Sequence, residues 1–188
     1  MIEVICGTDR PNSNTRKVAD LLVEDYKALN IPVQLLDIAA LDFHDAVGGT
    51  YGNARGTIQA AVERVNKADG VVFVVPEYNG SFPGALKLFI DYWKYPTSFE
   101  FRPVAFVGLG LRWGGLRPVE HLQQVCGYRN AYVFPHRVFL SNVRDTLKDG
   151  KIADPVIVDL LKAQARDFVK FIQALKVQGL DANSKLKA

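Results

Sequence analysis

Two loops of this sequence gather side chains able to bind a ligand, and each follows a short apolar run. The first, Gly7-Thr8-Asp9-Arg10-Pro11-Asn12-Ser13-Asn14-Thr15, sets hydroxyls and amides beside an arginine just ahead of a helical pattern. N–H groups converge on anions at a helix start, and a guanidinium adds a fixed charge with forked donors, so a phosphate fits there. Ser, Asn and Thr are also favoured as plain helix caps, so the loop by itself supports a phosphate site and simple capping equally. It lacks the glycine spacing that lets a pyrophosphate approach, and no Gly-Lys-Ser/Thr follows as in a Walker loop. A single terminal phosphate is the better match.

The second loop, Pro76-Glu77-Tyr78-Asn79-Gly80-Ser81-Phe82-Pro83-Gly84, holds two prolines, two glycines and two aromatics in nine residues. Such a loop is stiff, its amides can face a planar heterocycle, and Tyr78 offers an aromatic surface to cover a ring. A tight turn with its aromatics packed into the core fits the composition as well. Other chemistry finds little support. Cys6 and Cys126 read as two buried thiols, and His44, His121 and His136 are too far apart in sequence for a local metal set. His121 falls inside a helical pattern and reads as structural. The Gly-x-Ser-x-Gly elbow of a doubly wound hydrolase is missing.

The elements that position these loops follow from periodicity. Apolar β-rich runs at residues 2–6, 33–38, 71–75, 104–109 and 132–134 alternate with helical spacing. The helical positions are Val18, Leu21, Leu22 and Leu29; Ile58, Ala61, Val62 and Val65; Leu86, Phe89, Ile90 and Trp93; Leu116, Val119, Leu122 and Val125; and a long set from Ile157 to Leu175. Ser13 or Asn12 can cap the first helix, and Asp154-Pro155 supplies a cap and a first-turn proline for the last. Residues 39–56, with Gly48, Gly49, Gly52 and Gly56, read as an irregular loop. The pattern predicts an α/β protein, a three-layer doubly wound fold around a five-stranded parallel sheet. Ligands of such sheets bind beyond the carboxyl ends of the strands, where the order reverses. The loops at 7–15, 76–84 and 109–115 leave those ends.

Composition agrees with one domain over residues 1–178 and a polar, disordered tail at 179–188. Of the 188 residues, 48% are hydrophobic and 23% charged, ordinary for a globular chain. The net charge of +3 is scattered rather than blocked, which gives no sign of nucleic-acid binding. Apolar runs such as 70–76 fall far short of the roughly 20 residues of a membrane span. Met1-Ile2-Glu3-Val4 does not resemble an export signal, so a cytoplasmic protein is expected.

A family resemblance adds what periodicity cannot. Pro76-Glu77-Tyr78-Asn79-Gly80-Ser81, with Pro83-Gly84-Ala85-Leu86-Lys87 and Ile90-Asp91, resembles the signature of the NADPH-dependent FMN reductase family of flavodoxin-like enzymes. The first loop is similar to that family's phosphate-binding turn, with Thr8, Arg10, Ser13 and Thr15 at its polar positions. Gly114-Gly115-Leu116-Arg117 and His121-Leu122 are similar to its loop and helix after the fourth strand. The similarity extends to about residue 175.

The resemblance implies FMN as cofactor, its phosphate held by Thr8, Arg10, Ser13, Asn14 and Thr15. The isoalloxazine would lie against Pro76, Glu77, Tyr78, Asn79 and Gly80, with Leu109, Gly110 and Leu111 at its other edge. It further implies NADPH or NADH as co-substrate and a small electron acceptor: a quinone, an azo compound, an oxidised metal or free flavin. Backbone N–H groups of 78–80 and 109–111 would stabilise the electron-rich reduced ring, so no side chain is assigned a catalytic role. Leu109 and Leu111 depart from the family pattern, being bulkier and less polar than usual there. Glu77 suits a cofactor contact or an exposed or subunit-paired carboxylate; Arg112 and Arg117 suit the extra phosphate of NADPH or plain solvation; Trp113 suits the flavin site or an interface. The alternative is a flavodoxin-type electron carrier without a nicotinamide site, against which the mild positive charge argues. A homodimer or homotetramer is expected, with Tyr92, Trp93, Tyr95, Phe99 and Phe101 forming part of the contact.

Overall fold

A computed structural model describes residues 1–46 and 53–186. Gly48, Gly49 and Gly52 of the expected irregular loop lie outside the described residues.

Strands β1 (Ile2–Cys6), β3 (Gly70–Pro76) and β4 (Pro103–Leu109) are buried at every position, which is why they read as unbroken apolar runs. The chain leaves β1 through α1 (Asn14–Ala28) to β2 (Val33–Asp37), then returns through α2 (Gly56–Lys67) to β3 on the far side of β1. From β3 it continues through α3 (Gly84–Asp91), β4 and α4 (Leu116–Tyr128). Every pairing in this sheet is parallel, in the order β2-β1-β3-β4-β5. Side chains alternate between its faces. Val4, Cys6, Val72, Val74, Val107 and Leu109 join a core with α1 and α6 (Pro155–Val177), while Ile5, Phe73, Val75 and Phe106 join one with α2, α3 and α4. Ser13 caps α1 by accepting from the Arg16 N–H at 3.1 Å, and Asp154 accepts from Val156 ahead of Pro155.

The expected fifth strand at 132–134 is split. Tyr132–Val133 forms β5 beside Pro103 and Val104; after a break the chain rejoins the same side of β4 as β6 (Val138–Leu140), opposite Val107–Leu109. Pro103 faces Tyr132 but Val107 faces Val138, so two extra residues are looped out. Pro135 explains the break, since it has no N–H to give the ladder. Gln164, fully buried on α6, fills the gap: its Nε2 donates to the Phe106 carbonyl at 2.9 Å and the His136 carbonyl at 2.7 Å. Beyond β6 come α5 (Val143–Thr146) and a small hairpin of β7 (Leu147–Lys148) and β8 (Lys151–Ile152), ahead of α6.

Two expectations change. Tyr92, Trp93 and Phe99 are buried in the monomer, where Trp93 stacks on Phe73 at 5.8 Å and meets Phe99 at 5.1 Å. The eight-residue α3 is too short to cover Phe73 and Phe106, and the following loop completes that layer. Trp93 and Phe99 therefore cannot form the subunit contact expected of them; Tyr95, half exposed, bonds Glu100 instead. The tail expected to fray carries a short helix, α7 (Ala182–Lys185), capped by Asp181, with Asn183 donating to Asp69. Among the described residues no helix is long and apolar enough to cross a membrane.

Replacing Gln164 by Leu takes this donor from the buried Phe106 carbonyl and the partly buried His136 carbonyl, each costing at most about 1–3 kcal/mol. The Gln164→Leu protein should lose roughly 2–4 kcal/mol in urea unfolding, a loss from two such carbonyls. An unchanged midpoint would mean that water or backbone closes the gap without this side chain.

Candidate functional site

All the loops of interest leave the carboxyl edge of the sheet, and a few hydrogen bonds fix them to one another. Thr8, fully buried after β1, shares a 2.7 Å hydrogen bond with the Tyr78 hydroxyl and accepts from the Arg10 N–H. The Arg10 guanidinium then lies over the Tyr78 ring, 4.3 Å from its centre, a favourable site for a cation. Tyr78 and Ser81 exchange both backbone hydrogen bonds across Asn79-Gly80, whose φ angles are +51° and +76°. That is the Asn-Gly two-residue turn that the left-handed region favours.

The loop after β4 is held from both sides. Leu109 accepts from the Glu77 N–H, and Gly110 donates to Leu140. Gly110 and Leu111 in turn accept from Val143 and Asn142 at the start of α5. Gly115 turns the chain into α4 at φ +79°, and a Cβ there would lie 2.5 Å from the Leu109 nitrogen.

Together these loops bound an open cleft of about 490 Å³, the size of a small-molecule site. Of the residues singled out from sequence, Arg10, Ser13, Asn14, Thr15, Pro76, Glu77, Tyr78, Asn79, Leu109, Gly110 and Leu111 line it. Thr8 and Gly80 do not. Thr8 ties two lining loops together, and Gly80 completes the turn. Leu109, 2% exposed, sends its side chain into the core with α1 and α6, so its bulk stays out of the cleft. Leu111 is 55% exposed and does line the cleft.

Sequence reasoning missed Val143 and Arg144, which complete the wall. They follow β6, the half-strand hidden behind Pro135, so their loop was not recognised as leaving the ligand edge. Arg112, Arg117 and Trp113 are exposed and lie outside the lining set. His121 is exposed on α4, and its Nδ1 lies 2.9 Å from the Ser81 Oγ.

The expected amide donors also need correction. The Tyr78 and Gly110 N–H groups are engaged within the scaffold, and Leu109 belongs to the β4–β6 ladder. Among the described residues, the N–H groups of Asn79, Gly80 and Leu111 carry no protein partner. Both thiols are buried, and burial pushes each up to about 12, which rules out a thiolate at neutral pH. Among the described residues no cluster of three His, Cys, Asp or Glu side chains can hold a metal ion.

A parallel sheet covered by helices on both faces, with a cleft where its strand order reverses, defines a protein of flavodoxin-like fold. The family model for NADPH-dependent FMN reductase matches residues 1–145, and the chain belongs to that family of oxidoreductases. It is 32% identical to a quinone reductase of Escherichia coli (strain K12), covering 94% of this chain and 97% of that one. It is 28% identical to an NADPH azoreductase of Bacillus sp. (strain OY1-2), over 85% and 87% of the two chains. Among solved structures it resembles FerB, a flavoenzyme NAD(P)H:(acceptor) oxidoreductase from Paracoccus denitrificans. The TM-score is 0.73 at 22% identity, covering 92% of this chain and 97% of that one.

Gly115→Ala tests how firmly the third loop is set. A left-handed alanine costs about 1–3 kcal/mol, before any collision with the Leu109 amide is counted. Thermal unfolding should show at least that loss. A fully stable variant would mean that the loop has room to move.

Proposed function

We propose that the protein is an FMN-dependent NAD(P)H oxidoreductase delivering electrons to small acceptors such as quinones, azo compounds, oxidised metals or free flavin. The observation that carries this is the pairing, in one cleft, of an anion cradle with free amide donors. Ser13, Asn14 and Thr15 present the start of α1, and Arg10 stands beside them with no acidic partner among the described residues. These groups would hold a single phosphate. Arg16, the next cation along, is already engaged by Asp20 at 3.0 Å and Asp37 at 2.7 Å, so the loop offers no second cationic site for a pyrophosphate.

Bound FMN supplies the hydride and electron chemistry, and the protein's part is positioning and electrostatics. Tyr78, steadied by Thr8 and by the Arg10 guanidinium, presents a fixed aromatic wall. The unpartnered N–H groups of Asn79 and Leu111, both on the cleft lining, would stabilise negative charge on a ring placed between them. Glu77 is the single acid among the described lining residues, so the site carries no paired acid and base. The similarity to a quinone reductase over nearly the full chain supports a reductase over an electron carrier.

The same reading includes self-association as a dimer or tetramer. Tyr128 on α4, 80% exposed, lies with Leu88 and Tyr95 among the large apolar side chains left to solvent, a composition typical of interface cores. Light scattering should give a multiple of 20.9 kDa; a monomer at micromolar concentration contradicts it.

Flavin released from the purified protein should migrate as FMN, and FAD in its place would refute the assignment of a single-phosphate cradle. Arg10→Ala should weaken FMN binding by about 1.5 kcal/mol, the low end for a charged hydrogen bond because the side chain is exposed. An unchanged dissociation constant would remove Arg10 from the cradle.

A further inference from the structure

Arg144 is the cation in this cleft that nothing above employs. It sits on α5, and the residue before it, Val143, donates its N–H to the Gly110 carbonyl at 3.2 Å. The Asn142 N–H reaches the Leu111 carbonyl at 2.8 Å. The backbone carrying Arg144 is thus fastened to the loop that bounds the site. Asp145, the nearest acid in sequence, is held by the Asn142 amide at 2.6 Å. Among the described residues Arg144 has no acidic partner, and its side chain is exposed on the cleft wall.

Two unpaired arginines, Arg10 and Arg144, therefore face one cleft whose described lining holds a single carboxylate, that of Glu77. A mononucleotide brings one phosphate group, which the start of α1 and Arg10 accommodate. Arg144 stands on another element, one bonded through its backbone to Gly110 and Leu111. With the cofactor bound, the cleft keeps a fixed positive charge near the exposed apolar side chain of Leu111. Such a combination selects for a flat apolar body carrying an anionic group.

Building on the function proposed above, we infer that Arg144 is a specificity-determining residue that favours anionic second substrates. The favoured partner is an acidic acceptor, such as a sulfonated or carboxylated quinone or azo compound, or the phosphorylated nicotinamide donor itself. Both sources share the same chemistry, a flat ring system in a molecule that also carries an anionic group.

The test uses full-length, FMN-loaded protein and the variants Arg144→Ala, Arg144→Glu and Arg144→Lys. Calorimetry on the oxidised protein compares anthraquinone-2-sulfonate with the neutral 2-(hydroxymethyl)anthraquinone. Stopped-flow reduction compares NADPH with the neutral hydride donor 1-benzyl-1,4-dihydronicotinamide. In at least one pair, Arg144→Glu should lower the preference for the anionic member by about tenfold, Arg144→Ala by less, and Arg144→Lys should retain most of it. A shift in the quinone pair identifies the acceptor as the anion, and a shift in the donor pair identifies the dinucleotide.

Equal losses for the charged and neutral members, or no change in either pair, overturn the inference. So does a tenfold or greater rise in the FMN dissociation constant of Arg144→Ala, measured by flavin fluorescence, which would place Arg144 in the phosphate cradle. Each of these results leaves FMN binding by the native protein intact. Native protein that takes up no FMN overturns the proposed function and this inference together.

Discussion

The parallel pairing of β1, β3 and β4, all buried on both faces, is the constraint from which the rest of this structure follows. Parallel strands cannot be joined by tight hairpins, so each must be followed by a crossover that returns the chain to the starting edge. Every loop leaving a carboxyl end then lies on one side of the molecule. Because β1 and β3 are neighbours while their successors run to opposite sides, a crevice opens between the loop after β1 and the loop after β3. The cleft is thus a product of topology, and the loop sequences decide only what it can hold.

Once gathered there, the loops are kept in place mainly by backbone bonds. Glu77 to Leu109, Gly110 to Leu140 and Val143 to Gly110 form a relay from the loop after β3 to the start of α5. Each bond consumes a donor that would otherwise be free for a ligand, so the same accounting that rigidifies the site also selects which amides remain. Asn79 and Gly80 stay available because a two-residue turn is closed by its flanking residues alone. The side-chain contribution concentrates on Thr8, whose hydroxyl joins the first loop to Tyr78. Its burial fixes two walls of the cleft relative to one another.

What could be foreseen from sequence divides along the same physical lines. Central strands declare themselves because burial on both faces demands uninterrupted apolar residues, and the caps at Ser13 and Asp154 declare themselves through local hydrogen bonding. The site's first two loops were legible because Arg10, Ser13, Tyr78 and the Asn79-Gly80 pair carry chemistry in their own residue types. Arg144 was not, because recognising it requires knowing that Val138–Leu140 is a strand. A strand of three residues is too short to show a period, and its partners come from β4 alone. The aromatic segment after α3 failed differently. Local density of aromatics says that a large area must leave water, but whether a subunit or the protein's own core takes it depends on how much of Phe73 and Phe106 the helix leaves bare.

The distribution of arginines follows from this separation of scaffold and site. Arg64 grips the buried Glu3 carboxylate with two nitrogens, and without it Glu3, whose pKa burial already raises, would be an uncompensated charge in β1. Arg102, 1% exposed and lowered to about 10 by burial, donates to the carbonyls of Asn66, Ala68, Thr97 and Ser98, tying the end of α2 to the loop after α3. Arg16 is held between Asp20 and Asp37. Each of these guanidiniums is engaged by protein acceptors, and Arg102 uses all three nitrogens on them. Arg10 and Arg144 differ in kind: they stand on the ligand edge, outside every ion pair among the described residues, and Arg10 has only the face of Tyr78 beneath it. Arg10 and Arg144 are the two cations among the described residues lining the cleft, and the function and specificity proposed above assign both to what enters it.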